Sequence, residues 1–332
     1  MAETGEGPPV LGIDLGGTKI LAGVIGADNV ILGRAKRPTP AKDGAAAIFK
    51  AIVECVDEAL ASARLRRSDV AAVGIGSPGP LNAETGVILF SANLQMRDFP
   101  LGPDLANALG RPTLVQNDVR VGGYAEFRLG VGRGVQNMIA AFVGTGIGGC
   151  LILHGQVVVG ATGNAGEVGH IVVKAGGPGC GCGQRGCMEA LASKTAIERR
   201  VTKAIRRGLP TVLAEKLARR GRLKSGDLAA AVAAGDAIAI KEANRAARYL
   251  GLGLGGLMNV FGPELVVIGG GVAGALGEPW IERVRITARA HAITDHEGKI
   301  RIERAALGDN AGMLGAALLA REKFVLAREP LG

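Results

Sequence analysis

Residues 10–25 read VLGIDLGGTKILAGVI: an apolar run, a glycine-rich break and a second apolar run, the pattern of two buried strands joined by a tight turn. Asp14 closes the first run, and Gly16, Gly17, Thr18 and Lys19 form the turn. Residues without bulk let backbone N–H groups close around phosphate oxygens, while Thr18 and Lys19 add a hydroxyl donor and a cation. An ordinary hairpin turn is the other reading of the same residues. A P-loop does not fit, because it needs G-x-x-x-x-G-K-[ST] before a helix and here a strand follows. The pattern recurs: an apolar run at 137–143 leads into Gly144-Thr145-Gly146-Ile147-Gly148-Gly149, and a further apolar run, 150–153, follows. Strand, glycine turn with threonine, strand, twice over, predicts an α/β chain of two similar βββαβα cores facing one another across a cleft.

The other elements fit that frame. A third strand is expected at 30–35, a helix at 44–63 on its 3.6-residue pattern, and a strand at 70–77 that ends in the rigid turn Ser77-Pro78-Gly79-Pro80. After a segment carrying Asn93 and a helix at 101–109, a short strand at 112–118 delivers Asn117 and Asp118 at its C-terminal end, where open α/β sheets place ligand contacts. Asp118 suits proton removal from an alcohol; the Asn-Asp pair equally suits a helix cap. Further helices are expected at 192–207, 211–218, 225–233 and 236–250. A strand at 264–268 then ends in Gly269-Gly270-Gly271, a turn open enough for a nucleoside or simply a strand-to-helix turn. A small domain over residues 1–118, joined by a terminal helix at about 308–324, should accompany a larger one over 119–307.

The most chemically loaded stretch is 160–189, GATGNAGEVGHIVVKAGGPGCGCGQRGCME. His170, Cys180, Cys182 and Cys187 stand in the order H-x9-C-x-C-x4-C between Glu167 and Glu189, with glycines for tight turns. One imidazole and three thiolates suit a closed tetrahedral zinc site. The spacing is not that of the commonest nucleic-acid fingers. Three free thiols with a core histidine would be the plainer reading. Cys55 and Cys150 stand alone among apolar residues and read as small hydrophobes.

With 332 residues the chain exceeds the size at which one core usually stops growing. Aromatic residues make up 3%, so Ala, Val, Leu and Ile must build the cores. The net charge of +9 suits an anionic ligand or a soluble surface, and Arg199-Arg200, Arg206-Arg207 and Arg219-Arg220 read as solvated helix faces. The polar stretch 2–7 lacks a basic region and an apolar core, which argues against a signal peptide. No apolar segment is long enough for a spanning helix, and a reducing cytoplasm suits the cysteines.

Together these residues resemble the ROK (repressor, open reading frame, kinase) sugar kinases, most closely the bacterial glucokinases. The matching pieces are Asp14-Leu15-Gly16-Gly17-Thr18-Lys19, Gly76-Ser77-Pro78-Gly79, Asn117-Asp118, Gly144–Gly149, Gly166-Glu167-Val168-Gly169-His170, Cys180–Cys187, Glu189 and Gly269–Gly271, in the family's order. The resemblance implies a two-domain actin-like or ribonuclease-H-like ATPase fold and phosphoryl transfer from ATP to the 6-hydroxyl of a hexose, glucose first. It implies Asp118 as base, with Asn93, Asn117, Glu167, His170 and Glu189 on sugar hydroxyls. Nucleotide phosphates and Mg2+ would lie at the two glycine hairpins, structural zinc would order the sugar loop, and the enzyme would be a homodimer without nucleic-acid or membrane partners. Kinases for mannose, N-acetylglucosamine or N-acetylmannosamine, a polyphosphate donor, and a sugar sensor without turnover are the alternatives. No segment before the first strand is long enough for a helix-turn-helix, so the repressor branch is not expected. One departure stands out: Val119-Arg120 follows the base, where glucokinase-like members carry a small residue and Asn.

Overall fold

The structure is a computed structural model that describes residues 7–295 and 297–326; most of the polar stretch read at 2–7 lies outside it. Contacts divide the chain into two units, Met1–Leu129 with Val159–Asn164 and Asp309–Gly332, and Gly130–Val158 with Ala165–Gly308.

In the first unit the strands are β1 (Val10–Leu15), β2 (Lys19–Ile25), β3 (Ile31–Pro38), β4 (Val73–Ser77), β5 (Leu81–Asn82), β6 (Val87–Ser91), β7 (Met96–Phe99) and β8 (Thr113–Asn117). The main sheet runs β3-β2-β1-β4-β8, and β5-β6-β7 form a small sheet beside it. In the second unit, β9 (Met138–Val143), β10 (Ile147–Leu153), β11 (Gln156–Val157), β12 (Leu265–Gly269) and β13 (Arg301–Arg304) run in the order β11-β10-β9-β12-β13. Both orders describe one topology. An antiparallel meander has its first strand in the middle, and two later strands add parallel to it on the other side. The repetition read from two glycine turns is thus a repetition of whole sheets.

Each sheet is covered by helices whose apolar stripe faces it. On Ala45–Ala63 the buried positions Ile48, Ile52, Cys55, Val56 and Ala59 keep the spacing of one helical face. Cys55 and Cys150 are buried, as small hydrophobes should be. The C-terminal helix, Ala311–Phe324, carries little periodic signal because it is buried nearly all round. It lies almost backbone to backbone on the first sheet: a Cβ at Gly12 would fall 2.0 Å from the Met313 carbonyl oxygen, and one at Gly74 1.9 Å from that of Ala316. On its other side Gly315 meets the Val121 carbonyl oxygen at 1.7 Å from its own would-be Cβ. This packing keeps the helix Asp118–Arg128 in the first unit, so the division falls after Leu129 rather than after residue 118.

Two helical expectations change. The helix expected at 192–207 spans Lys194–Arg206, and an unexpected short helix, Met188–Ala192, precedes it; Ser193 between them caps the second, its hydroxyl accepting the Ala196 N–H. The helix expected to stop at 250 continues as Ala237–Phe261. Its glycines are contact points rather than stops: Gly251 and Gly255 lie under the helix Glu278–Ala290, against the Val284 and Ala288 carbonyls.

Close backbone contact leaves no room for a methyl group. Gly74→Ala and Gly315→Ala should each destabilise the protein by about 1–3 kcal/mol or more, whereas Gly256→Ala, exposed in mid-helix with open space around it, should stabilise by about 0.5–1 kcal/mol. Urea unfolding curves of the three variants check this ordering.

Candidate active site

The parallel strands β1, β4 and β8 end together. Asp14 pairs in register with Gly76 and through it with Gln116, and Ser77 pairs with Asn117 one residue further on, so Asp14, Ser77 and Asn117 occupy successive rows at the C-terminal edge of the first sheet. Asp118 opens the helix that follows. The cap reading of the Asn-Asp pair is what the structure displays: Asn117 Oδ1 caps the helix, accepting the Val119 and Arg120 N–H groups at 3.0 and 3.1 Å. The capping bonds use its amide oxygen and leave its amide nitrogen as a donor. Asp118 Oδ1 accepts the Val119 N–H at 2.9 Å.

Asp14 sits in a crowded acidic neighbourhood. Burial first, and then the charges of Asp118 and Asp309, push its carboxyl up to about 6 against the opposing pull of Lys19. Lys19 forms an ion pair with Asp309 at 2.7 Å. The turn after β1 is closed by the Gly16 N–H bonding to the Lys19 carbonyl, with Gly17 and Thr18 exposed. Asn93 lies beside that turn, its Cβ 3.6 Å from where a Gly17 Cβ would be. Arg120, the unexpected cation two residues after Asp118, is buried and donates to Gln116 Oε1 and to the Gly163 carbonyl at 2.9 and 3.0 Å. Ser77 and Asp309 are additions that motif spacing did not single out as site residues. The Ser77 hydroxyl is fully buried with no hydrogen-bond partner among the described residues.

In the second unit, His170, Cys180, Cys182 and Cys187 bring their ligand atoms within 4.8 Å of one another. His170 Nδ1 lies 3.6 Å from Cys180 Sγ, and the Cys182 and Cys187 sulfurs are 3.7 Å apart. Those are the edges of a tetrahedron with bonds of about 2.0 Å to nitrogen and about 2.3 Å to sulfur, so the donor set fits zinc. As a free thiol Cys180 is pushed up to about 12, mainly by burial, so a metal must displace its proton to bind. Glu189 is tied to this centre: Oε1 accepts from Cys180 Sγ at 3.6 Å, and Oε2 accepts the Ile147 N–H at 2.9 Å. The other nitrogen of His170, Nε2, points toward Glu167 Oε2 at 3.9 Å. One nitrogen thus faces the metal set, and the other faces an exposed carboxylate.

The second glycine turn has a distinct reason for each residue. A Cβ at Gly146 would fall 2.3 Å from Glu189 Oε2, whereas at Gly144 it would meet nothing within 4 Å, which leaves that backbone open to a ligand. Thr145 gives its carbonyl to the Thr195 hydroxyl at 2.8 Å. Gly269 packs against the Phe142 ring, and Gly270 has a positive φ of 85° against the Val143 backbone. Two glycines of that triplet therefore have structural causes. Gly271 lies at the start of the helix Gly270–Leu276, with Ser225 Oγ 3.2 Å from its would-be Cβ.

The raised Asp14 carboxyl fits a divalent cation, which would relieve its repulsion from Asp118 and Asp309. It also has a stability consequence. A carboxyl that titrates near 6 when folded and near 4 when unfolded contributes stability below about pH 4, and loses it as pH rises through about 6. Without nucleotide or divalent metal, Asp14→Asn should therefore be more stable than the parent at pH 7.5, and that advantage should shrink toward pH 4. Denaturant midpoints at the two pH values test the sign.

The ROK family profile matches residues 10–323. A glucokinase of Halalkalibacterium halodurans is 34% identical over 314 residues, covering 94% of this chain and 95% of that protein. The ROK hexokinase of Thermus thermophilus superposes with a TM-score of 0.80 at 38% identity, covering 95% of this chain and 98% of the other. A ROK glucokinase of Streptomyces griseus, solved in complex with glucose and AMPPNP, also gives a TM-score of 0.80 at 32% identity, covering 95% and 99%. With its repeated sheet, aspartates at the ends of the strands β1 and β8 and a histidine–cysteine loop, the chain belongs to the ROK family.

Proposed function

We propose that this chain is an ATP-dependent hexose kinase that phosphorylates the 6-hydroxyl of glucose. The observation that carries the reading is Asp118, set at the start of a helix directly after β8 and beside the elevated carboxyl of Asp14, in a chain alike over nearly its whole length to glucokinases.

Asp118 accepts the proton of the 6-hydroxyl as the new O–P bond forms and the bond from the γ-phosphorus to the bridging oxygen of ADP breaks. A carboxylate is a weak base for an alcohol, but proton transfer late in phosphoryl transfer asks only that it be in place. Asn117, fixed by its own capping bonds, presents its amide to the sugar, and Asn93 adds a second amide. Glu167, His170 through Nε2, and Glu189 hold further hydroxyls, and a site that satisfies each hydroxyl rejects sugars lacking one. The turns Gly16–Lys19 and Gly144–Gly146 take the nucleotide phosphates, and Gly269–Gly271 border the nucleoside. Asp14 would hold Mg2+, which supplies neutralising charge to the phosphates. His170 Nδ1, Cys180, Cys182 and Cys187 would hold zinc. Four protein ligands leave it no open position, so its contribution is to fix the loop that carries Glu167 and Glu189.

Base and metal separate experimentally. Asp118→Asn keeps size and shape, so it should retain zinc and sugar affinity while turnover falls on the order of 10²- to 10⁴-fold. Cys182→Ala should lose the metal and weaken sugar binding together. Zinc content by elemental analysis, sugar affinity by calorimetry and turnover by coupled assay across glucose, mannose and the N-acetylated hexosamines read both variants. Near-parental turnover in Asp118→Asn would sink the base assignment, and full activity without zinc in Cys182→Ala would sink the ordering role.

A further inference from the structure

A cavity of about 790 Å³ lies in the second unit between the helices Lys194–Arg206 and Ala237–Phe261, and contains none of the residues assigned above to sugar, nucleotide or metal. Its wall carries eight cations against two carboxylates, Glu198 and Glu242. Both carboxylates are committed elsewhere: Glu242 pairs with Arg200 at 2.5 Å, and Glu198 Oε2 accepts the Leu223 N–H at 2.7 Å. Arg199 and Arg200 are likewise committed, to the carbonyls of Ala190 and Leu191. Lys174, Lys203, Arg206, Arg207, Lys241 and Arg245 remain, and none of them forms an ion pair among the described residues.

The arrangement differs from that around Arg285 on another helix. On Glu278–Ala290, Arg285 is flanked by Glu278 and Glu282 and pairs with both. Around the cavity, Lys203 with Arg206 and Arg207, and Lys241 with Arg245, stand three or four residues apart on their helices, where like charges destabilise each other. Burial, and then the charges of Arg245 and Arg199, hold the Arg200 guanidinium below its ordinary range in spite of Glu242. Such a concentration of cations in a concave wall focuses potential for an anion. Guanidinium forks match phosphate oxygens, and the volume is that of a small-molecule site rather than of a docked helix or duplex.

We propose that this cavity binds a small anion carrying several phosphate groups, and that its occupancy changes the enzyme's affinity for nucleotide. The route is short. The helix Lys194–Arg206 forms one wall of the cavity, and its first turn is bonded to the second glycine hairpin: the Lys194 N–H to the Gly144 carbonyl at 3.0 Å, and the Thr195 hydroxyl to the Thr145 carbonyl at 2.8 Å. The coupling rests on the kinase reading; the binding site does not.

The test uses full-length, zinc-loaded protein saturated with AMPPNP at constant excess free magnesium, so that the hairpins are filled. Tripolyphosphate titrated into it by calorimetry should bind at one equivalent, and more weakly as salt rises from about 50 to about 200 mM. The triple variant Lys203→Ala, Arg206→Ala, Lys241→Ala should bind at least about 30-fold more weakly while keeping its circular dichroism and its kcat without tripolyphosphate within about twofold. Fructose 1,6-bisphosphate in a parallel titration distinguishes a phosphorylated metabolite from inorganic polyphosphate as the source, by which binds more tightly. Absence of binding by either, equal binding by the triple variant, or binding of only a single-stranded oligonucleotide overturns the site. In the second arm, tripolyphosphate should shift the apparent KM for ATP of the parent and not of the triple variant; an unshifted KM in the face of measured binding overturns the coupling. Failure of the parent to phosphorylate any hexose would instead refute the kinase reading and leave the binding result standing.

Discussion

A single carboxylate holds the second unit's chemistry together. Glu189 opens the helix after the cysteine loop, and its two oxygens reach in different directions, one to Cys180 and the other to the Ile147 N–H after the second glycine turn. The absence of a side chain at Gly146 is what admits it, since a Cβ there would fall 2.3 Å from the carboxylate oxygen. Metal loop, hairpin and carboxylate are therefore one mechanical piece. A change in any of them moves the others, because the interior has no slack to absorb it. A metal bound there with no catalytic position would still be useful: it would set where hydrogen-bonding groups stand, and such groups act only when held to within a fraction of an ångström.

In the first unit the ordering principle is electrostatic tension rather than cross-bracing. Asp14, Asp118 and Asp309 are gathered near one another, with Lys19 paired to Asp309 as the compensating charge. Burial raises Asp14 and disfavours its charged form, a configuration retained in functional sites rather than for stability. The rigid packing behind it, the C-terminal helix pressed onto Gly12 and Gly74, supplies the frame that keeps these like charges in place. A Cβ at Gly312 of that same helix would fall 2.6 Å from Asp14 Cγ, so the helix reaches the site itself.

The departure Val119-Arg120 after Asp118 has a definite structural outcome. Arg120 turns into the interior, where Gln116 and the Gly163 carbonyl receive its guanidinium. It thereby ties the segment Val159–Asn164, which precedes Glu167 and His170 in the chain, to the first unit. Buried cations are tolerated only with such partners. Of the paired arginines read as solvated, Arg199, Arg206 and Arg207 are exposed on the wall of the cavity, Arg200 is half-buried and paired with Glu242, and Arg220 pairs with Asp227 on the surface.

The amino-acid sequence by itself determined the repeated strand–turn–strand units, most of the helices and strands around them though not β5–β7, β13 or the helix Glu278–Ala290, the order of the histidine and three cysteines, and the carboxylate that follows β8. All of these are local: they depend on spacing along the chain, on side-chain chemistry and on the periods of strand and helix. Tertiary structure alone decided what the glycines were for. Gly251 and Gly255 looked like breaks and are contact points between two helices, Gly144 and Gly146 share a turn but one is open and the other filled by Glu189, and Gly269 and Gly270 answer to Phe142 and Val143. It likewise decided that Asn117 spends its oxygen on capping and that Arg199 and Arg200 bond to carbonyls of the helix Met188–Ala192. The physical reason is common to all of these. A glycine or an arginine does not specify its partner; which backbone comes within reach depends on how sheets and helices far apart in the chain pack together, and that distance is written in no single segment.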